Sequence, residues 1–431
     1  MRKIVFFGVG SSKFVREMAV DLFSYDQLQN SSITLMDIDR ERVERSERLV
    51  QKIIDHRKLP ATVESTTDAR AALDGADYVI VTIMVGGFDH YASDTAIPSK
   101  YGVFPTVGDT IGPGGVFRTV RTAPVFEQIV QTLKEVAPQA WLLNYANPMA
   151  MNMWAIREAG HDRAVGLCHS IQGTYRQVAR WLDIPHEEVS YTAAGINHVD
   201  FYLTLEHQGR DLYPDLAAAA GRIVDKDPAT RVWFDLLEYL GHLPAEGPAH
   251  QLEYYPWFRK NLQMVEHYGV ETGWGYQIDS RMAEQRLEEV EAQIAGQKPI
   301  SYERSHEYGA AIIHSLETGQ VRTFYGNVPN RGLIENLPAD AIVEVPCLVD
   351  QNGLFPCRMG RIPPQLAAVM APHIAVHEMA VQGTRQKSKT LIRQAIQADP
   401  LTGAVLTLPQ IRALTDEMFA ANDEYVADWP A

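Results

Sequence analysis

The pattern that most restricts this chain lies in its first 37 residues: a strand, a glycine turn, a helix, and a second strand ending in an acid. Residues 4–7 (Ile-Val-Phe-Phe) form a continuous apolar run, as in a strand buried on both faces. Gly8-Val9-Gly10-Ser11-Ser12 interrupts it, and residues 14–23 then carry Phe14, Met18 and Leu22 at helical spacing. Residues 33–36 form a second apolar strand that runs into Asp37. This is the order of a dinucleotide-binding βαβ unit. Gly8 permits the tight turn and Gly10 lets the backbone approach a pyrophosphate. The helix start at Ser11 and Ser12 offers free N–H groups to it. Asp37 suits the adenine ribose hydroxyls and repels a 2′-phosphate, so NAD is expected over NADP. Lys13 stands where the third glycine of the fingerprint belongs.

Alternation continues through a helix over 40–57, a strand over 78–84, a helix over 116–136, and strands over 141–145 and 164–167. Strands alternating with helices predict an α/β fold with a Rossmann-like parallel sheet, here assigned to residues 1–190. Beyond about residue 191 the character changes. A strand of another type is expected over 201–205, and helices over 233–239, 282–294, 306–316 and 366–382. Residues 327–359, rich in Val, Pro and Gly, read as strands and turns. Residues 191–431 are therefore assigned to a second, α+β domain carrying substrate, metal and oligomer contacts.

The net charge of -15 argues against a nucleic-acid partner, which needs a basic footprint. Three cysteines make no disulfide framework and point to a reducing compartment. The apolar run after Met1-Arg2-Lys3 stops at Gly8 with no cleavage-like site, and the run over 78–85 is too short to span a membrane. A cytoplasmic protein with no membrane association is expected.

Several clusters downstream carry chemistry. Gly108-Asp109-Thr110-Ile111-Gly112-Pro113-Gly114-Gly115 is a glycine-rich turn opening a helix. Asn144-Tyr145-Ala146-Asn147-Pro148 and Cys168-His169-Ser170 end strands, and Asn197-His198 follows. His250 and Glu253-Tyr254-Tyr255 precede Pro256-Trp257-Phe258. Open α/β sheets bind ligands at strand C-terminal ends, so these clusters should converge on one crevice. A thiolate and an imidazole, Cys168 and His198, can hold a transition metal, with substrate oxygens and water completing the shell. Taken singly, Cys168 also reads as a small core hydrophobe and His198 as a structural residue. Asp109 also reads as a helix cap, and His250 as a core histidine.

In combination these strings resemble glycoside hydrolase family 4, the NAD- and manganese-dependent glycosidases. The matching residues are the Gly8/Gly10 turn, Gly108 to Gly115, Asn144 to Met151, Gly166 to Thr174, Gly195 to His198 and Glu253 to Lys260, in family order. The string from Cys168 to Thr174 most resembles the α-galactosidase branch. The resemblance implies a C-terminal domain of the lactate/malate dehydrogenase type and a homodimer or homotetramer. It makes Cys168 and His198 the metal ligands and Tyr254 the catalytic base, with His169 and Asp109 as further catalytic candidates. It places Asn147, His250 and Arg281 at the sugar, with Arg118 as a further contact. Gly8, Gly10, Ser11, Ser12, Asp37 and Asn144 fall to NAD. The implied chemistry is oxidation of the sugar at C3, removal of the C2 proton, elimination of the leaving group and addition of water. The cofactor is regenerated, which is why no carboxylate pair is needed. Phospho-glucosidase members carry an aspartate where this chain has His169, which argues against a 6-phosphorylated substrate. The expected substrate is an unphosphorylated α-galactoside, with α-glucosides and uronic-acid glycosides as alternatives. A lactate/malate-type dehydrogenase and a non-catalytic NAD-sensing module are the rival readings.

Overall fold

The computed structural model describes residues 1–430. Strand β1 (Arg2–Phe7) sits between β2 (Ser31–Met36) and β4 (Tyr78–Val81), parallel to both. On one side β2 is followed by β3 (Thr62–Thr66), and on the other β4 by β5 (Trp141–Asn144) and β6 (Ala164–Gly166), all parallel. The order 3-2-1-4-5-6 is that of a doubly wound dinucleotide sheet, and its switch point falls between β1 and β4. The inner strands read as continuous apolar runs because both faces are covered by helices. Strand β3 (Thr-Val-Glu-Ser-Thr) is a polar edge strand, which is why no apolar run announces it.

The sheet does not end at β6. Strands β7 (Val189–Ile196), β8 (Val199–His207), β9 (Arg210–Asp211), β10 (Arg322–Pro329), β11 (Ile342–Asp350) and β12 (Gly353–Pro356) extend it with antiparallel pairings. The path runs β6-β10-β11-β7-β8-β9, so β10 and β11 are inserted beside β6, ahead of the earlier β7. The ladder pairing at both seams is confined to one residue pair: Asn327 with Gly166, and Glu344 with Gly195. Helix Pro364–Arg385 covers the sheet beside helices Gly112–Val136 and Met149–Glu158.

The glycine-rich turn has a steric cause. Gly108 and Gly112 adopt positive φ. A Cβ on Gly114 would lie 2.4 Å from the Gly108 carbonyl, and one on Gly115 would lie 2.3 Å from the Thr110 carbonyl carbon. The loop carrying Asp109 is thus pressed onto the start of the Gly112–Val136 helix. The glycines also explain why helical periodicity becomes visible only from residue 116.

The same helix carries the best-buried ion pair. Arg121 donates to both oxygens of Asp94, at 3.1 and 2.5 Å, and to Asn422 Oδ1 at 2.8 Å. Both side chains are within 1% of full burial. Asp94→Ala would leave that guanidinium buried without its counter-ion. The expected cost is about 3–5 kcal/mol of stability, read as a lower denaturant midpoint. A loss under about 1 kcal/mol would show that the pair is not desolvated as described.

Candidate active site

The connection after β6 meets the hairpin of β7 and β8. Cys168 follows β6, and His169 caps helix Ser170–Leu182. Asn197 and His198 form the two-residue turn between β7 and β8. His198 has φ of +66°, an uncommon conformation for a non-glycine residue. Its carbonyl accepts from Gln251 Nε2 at 2.7 Å, and Asn197 Nδ2 donates to Glu344 at 3.2 Å, so the turn is held from both ends. Such over-determined strain is typical of a residue whose side chain must be aimed.

That aim brings His198 Nε2 to 3.6 Å from Cys168 Sγ and 3.3 Å from a Glu246 carboxylate oxygen. The three ligand atoms lie within 4.8 Å of one another. Burial, with Glu344 and Glu246 nearby, pushes the Cys168 thiol well up. Burial carries His198 down to about 4, against the pull of Glu246. Glu246 is buried, which raises it, but His198 and His250 hold its pKa below the ordinary carboxylate value. A thiol, a neutral imidazole and an ionised carboxylate converging in one buried corner form a donor set for a divalent transition metal. Three protein donors leave coordination positions for ligand oxygens.

The other ring nitrogen, His198 Nδ1, is 3.1 Å from the Tyr254 hydroxyl. Tyr254 is buried at the end of helix Pro248–Tyr254, and burial beside Glu253 and Asp109 drives its pKa well up. His250, on the same helix, stacks at 4.3 Å from the His198 ring. Asp109 accepts from Asn147 Nδ2 at 2.9 Å and from Thr110 Oγ1 at 2.6 Å. Burial opposes its ionisation, but His250 and Arg118 outweigh it and hold the carboxyl at about 2. Arg118 lies over the Tyr91 ring, with one buried terminal nitrogen that has no protein partner.

At the dinucleotide end, a Cβ on Gly8 would strike Ile83 at 2.8 Å, and its φ is +90°. Gly10 has open space ahead of it apart from Arg42 at 3.5 Å. Ser11 caps helix Ser12–Phe23. The Ser12 hydroxyl is instead paired with Ser46 at 3.1 Å, which leaves its backbone at the helix N-terminus. Asp37 accepts from Val9 N at 2.9 Å, tying the end of β2 to the glycine turn.

Cys168, His198, Tyr254, Asp109, Asn147 and His250 are brought together. His169 lies at the rim, with its side chain 74% exposed and 3.6 Å from Glu307. Asn144 is fully buried and spends its amide on Ala146 N and O inside its own loop. The role this geometry supports for Asn144 is shaping the loop that carries Asn147. Arg281 is exposed on helix Trp274–Ile294, and no hydrogen bond or ion pair ties it to the cluster among the described residues. Glu246 and Glu253 were not assigned roles from the sequence. Glu246 is visible there only as an acid between Ala245 and Gly247.

Residues 3–184 match the model of the family 4 glycosyl hydrolases, and residues 193–402 match that of the family's C-terminal domain. The chain belongs to glycosyl hydrolase family 4. An α-galactosidase of Bacillus subtilis (strain 168) is 34% identical over 434 residues, the whole of both chains. One of Rhizobium meliloti (strain 1021) is 35% identical over 441 residues, covering 99% of this chain and 89% of that one. The 6-phospho-beta glucosidase of Thermotoga maritima, solved with manganese, NAD+ and glucose-6-phosphate, superposes with a TM-score of 0.82. It covers 98% of this chain and 99% of its own, and at 22% identity it supports the fold alone. This family 4 chain is therefore a glycosidase, and the dehydrogenase rival falls away. No described helix is long and apolar enough to cross a membrane.

Proposed function

We propose that this chain hydrolyses unphosphorylated α-galactosides, using NAD and a divalent metal such as manganese. The observation that carries the proposal is the Cys168–His198–Glu246 cluster with Tyr254 on the far nitrogen of the same histidine. The two α-galactosidase relatives support the sugar and anomer. When bound, the nicotinamide would supply reversible hydride acceptance and the metal would supply Lewis acidity to the sugar. The Gly8/Gly10 turn, the helix start behind it and Asp37 would hold the dinucleotide. Cys168, His198 and Glu246 would hold the metal.

The chain's own groups divide the remaining work. With Nε2 in the donor set, His198 carries its proton on Nδ1 and donates it to the Tyr254 oxygen. That hydrogen bond favours the phenolate, which burial and the nearby Glu253 and Asp109 oppose. Tyr254 then takes the C2 proton. Asp109, ionised and braced by Asn147, accepts sugar hydroxyls. His169, at the open rim, would protonate the leaving group. A reducing cytoplasm suits a site that needs a free thiol, and Cys168 is free in the structure. A homodimer or homotetramer is the assembly we expect, and sedimentation tests it.

Metal binding should release about one proton. Among the three donors His198 is already neutral near pH 7 and Glu246 is already ionised, so only Cys168 has a proton to lose. The thiol's raised pKa means protons compete throughout the neutral range. Metal affinity should therefore tighten about tenfold per pH unit as pH rises. Calorimetric titration in buffers of different ionisation heat measures this, and a pH-independent affinity would rule out a thiolate ligand.

The activity itself is tested with NAD, manganese and a panel of 4-nitrophenyl α- and β-glycosides, with and without chelator. Cleavage of the α-galactoside that requires both cofactors supports the proposal. Exclusive cleavage of an α-glucoside or a uronic-acid glycoside overturns the sugar assignment. Cleavage indifferent to both cofactors overturns the mechanism.

A further inference from the structure

Glu253 is buried directly beside Tyr254, yet among the described residues its only ion-pair contact is His250 at 4.0 Å. Its carboxylate accepts three consecutive backbone N–H groups instead. Thr106 N and Val107 N donate to Oε2 at 2.8 and 3.0 Å, and Gly108 N lies 3.1 and 3.0 Å from the two oxygens. Arg259, fully buried six positions further along, donates from Nε to the Phe104 carbonyl of the same segment. It also donates to the Val270 carbonyl at 2.9 Å and to Thr272 at 3.1 Å. The segment from Phe104 to Gly108 is therefore gripped by a carboxylate through its amides and by a guanidinium through a carbonyl. The next residue is Asp109.

Charge-assisted bonds of this kind are the stronger ones, and three on one carboxylate leave that segment little freedom. They also leave Glu253 little capacity for anything else. With Oε2 taken by all three N–H groups, Oε1 turned to Gly108 N, and 3% exposure, it is not placed to exchange protons with a sugar. We propose that Glu253 is a positioning residue that fixes Asp109 against the bound sugar through the Thr106–Gly108 backbone. Its kinetic consequence rests on the glycosidase reading, but the clamp itself does not. The string Glu253 to Arg259 is then a single device: Tyr254 enters the site while its neighbours set the opposite wall.

Glu253→Gln removes the charge and, with its amide oxygen in the place of Oε2, turns an NH2 towards Gly108 N, so it should loosen the loop. Hydrogen exchange of the peptide covering residues 104–110 should quicken in this variant, which needs no turnover to observe. With the α-galactoside, kcat should fall about 100-fold, the scale expected for a misplaced site group. KM and metal affinity should change by less than about threefold. Asp109→Asn should lower kcat too, and the double variant should be no worse than the more impaired single one. Glu253→Asp, which keeps the charge, should recover part of the loss. Unchanged exchange at 104–110 would overturn the clamp. Losses that multiply in the double variant would overturn action through Asp109. Should Glu253→Gln fail to fold, Glu253→Asp is read by the same two criteria. If the wild-type protein cleaves no glycoside, the activity reading fails while the exchange measurement still decides the clamp.

Discussion

Cys168→Ser should lower glycoside cleavage about a thousandfold while leaving NAD affinity unchanged. The side chain lies 3.6 Å from His198 Nε2 and 3.4 Å from Ser170 Oγ, none of the residues assigned to NAD is among its hydrogen-bond partners, and serine keeps a donor at the same place. What is lost is the soft, ionisable donor. A serine hydroxyl does not ionise near neutral pH, so two of three ligands remain and no charge compensates the metal on that side. Lewis-acid stabilisation is worth several kcal/mol, and about 4 kcal/mol corresponds to that factor. Excess manganese should restore only part of the rate. Equal NAD binding with unchanged activity and unchanged metal dependence would remove Cys168 from the site.

Tyr254→Phe should lower kcat by about 10²–10⁴, the range for loss of a general base. The hydroxyl is the only part removed, and its structural partner is His198 Nδ1 at 3.1 Å. KM should move little, while metal affinity should weaken by about tenfold because His198 Nδ1 loses its acceptor. The specific signature is loss of C2-proton exchange, because oxidation at C3 does not need the hydroxyl. A variant that still exchanges the C2 proton at the wild-type rate would show that another group is the base.

Much of the first half of the fold was legible in the sequence because buried parallel strands announce themselves as apolar runs between glycine turns. The 4–7 run, the Gly8 turn and Asp37 fall where expected. What stayed hidden has local causes. Strand β3 is polar, and the Gly112–Val136 helix begins among glycines that mask its period. The insertion of β10 and β11 between β6 and β7 is a long-range pairing through single residues, Gly166 and Gly195, which no periodicity encodes. The site shows the same division. Cys168 and His198 stand out as residue types at strand ends. Glu246 and Glu253 are ordinary acids in a charged chain until the fold brings one beside His198 and the other under the Asp109 loop. The engagement of the Asn144 amide within its own turn is likewise a product of the folded loop and not of any sequence period.

The central claim is that glycoside cleavage here proceeds through a C2 proton removed by Tyr254, with no net oxidation. Hydrolysis of an α-galactoside in D2O, with the released sugar examined by NMR, tests it most directly. Deuterium at C2 of the product, together with no net accumulation of NADH, is the predicted result. Full turnover with protium retained at C2 would contradict it.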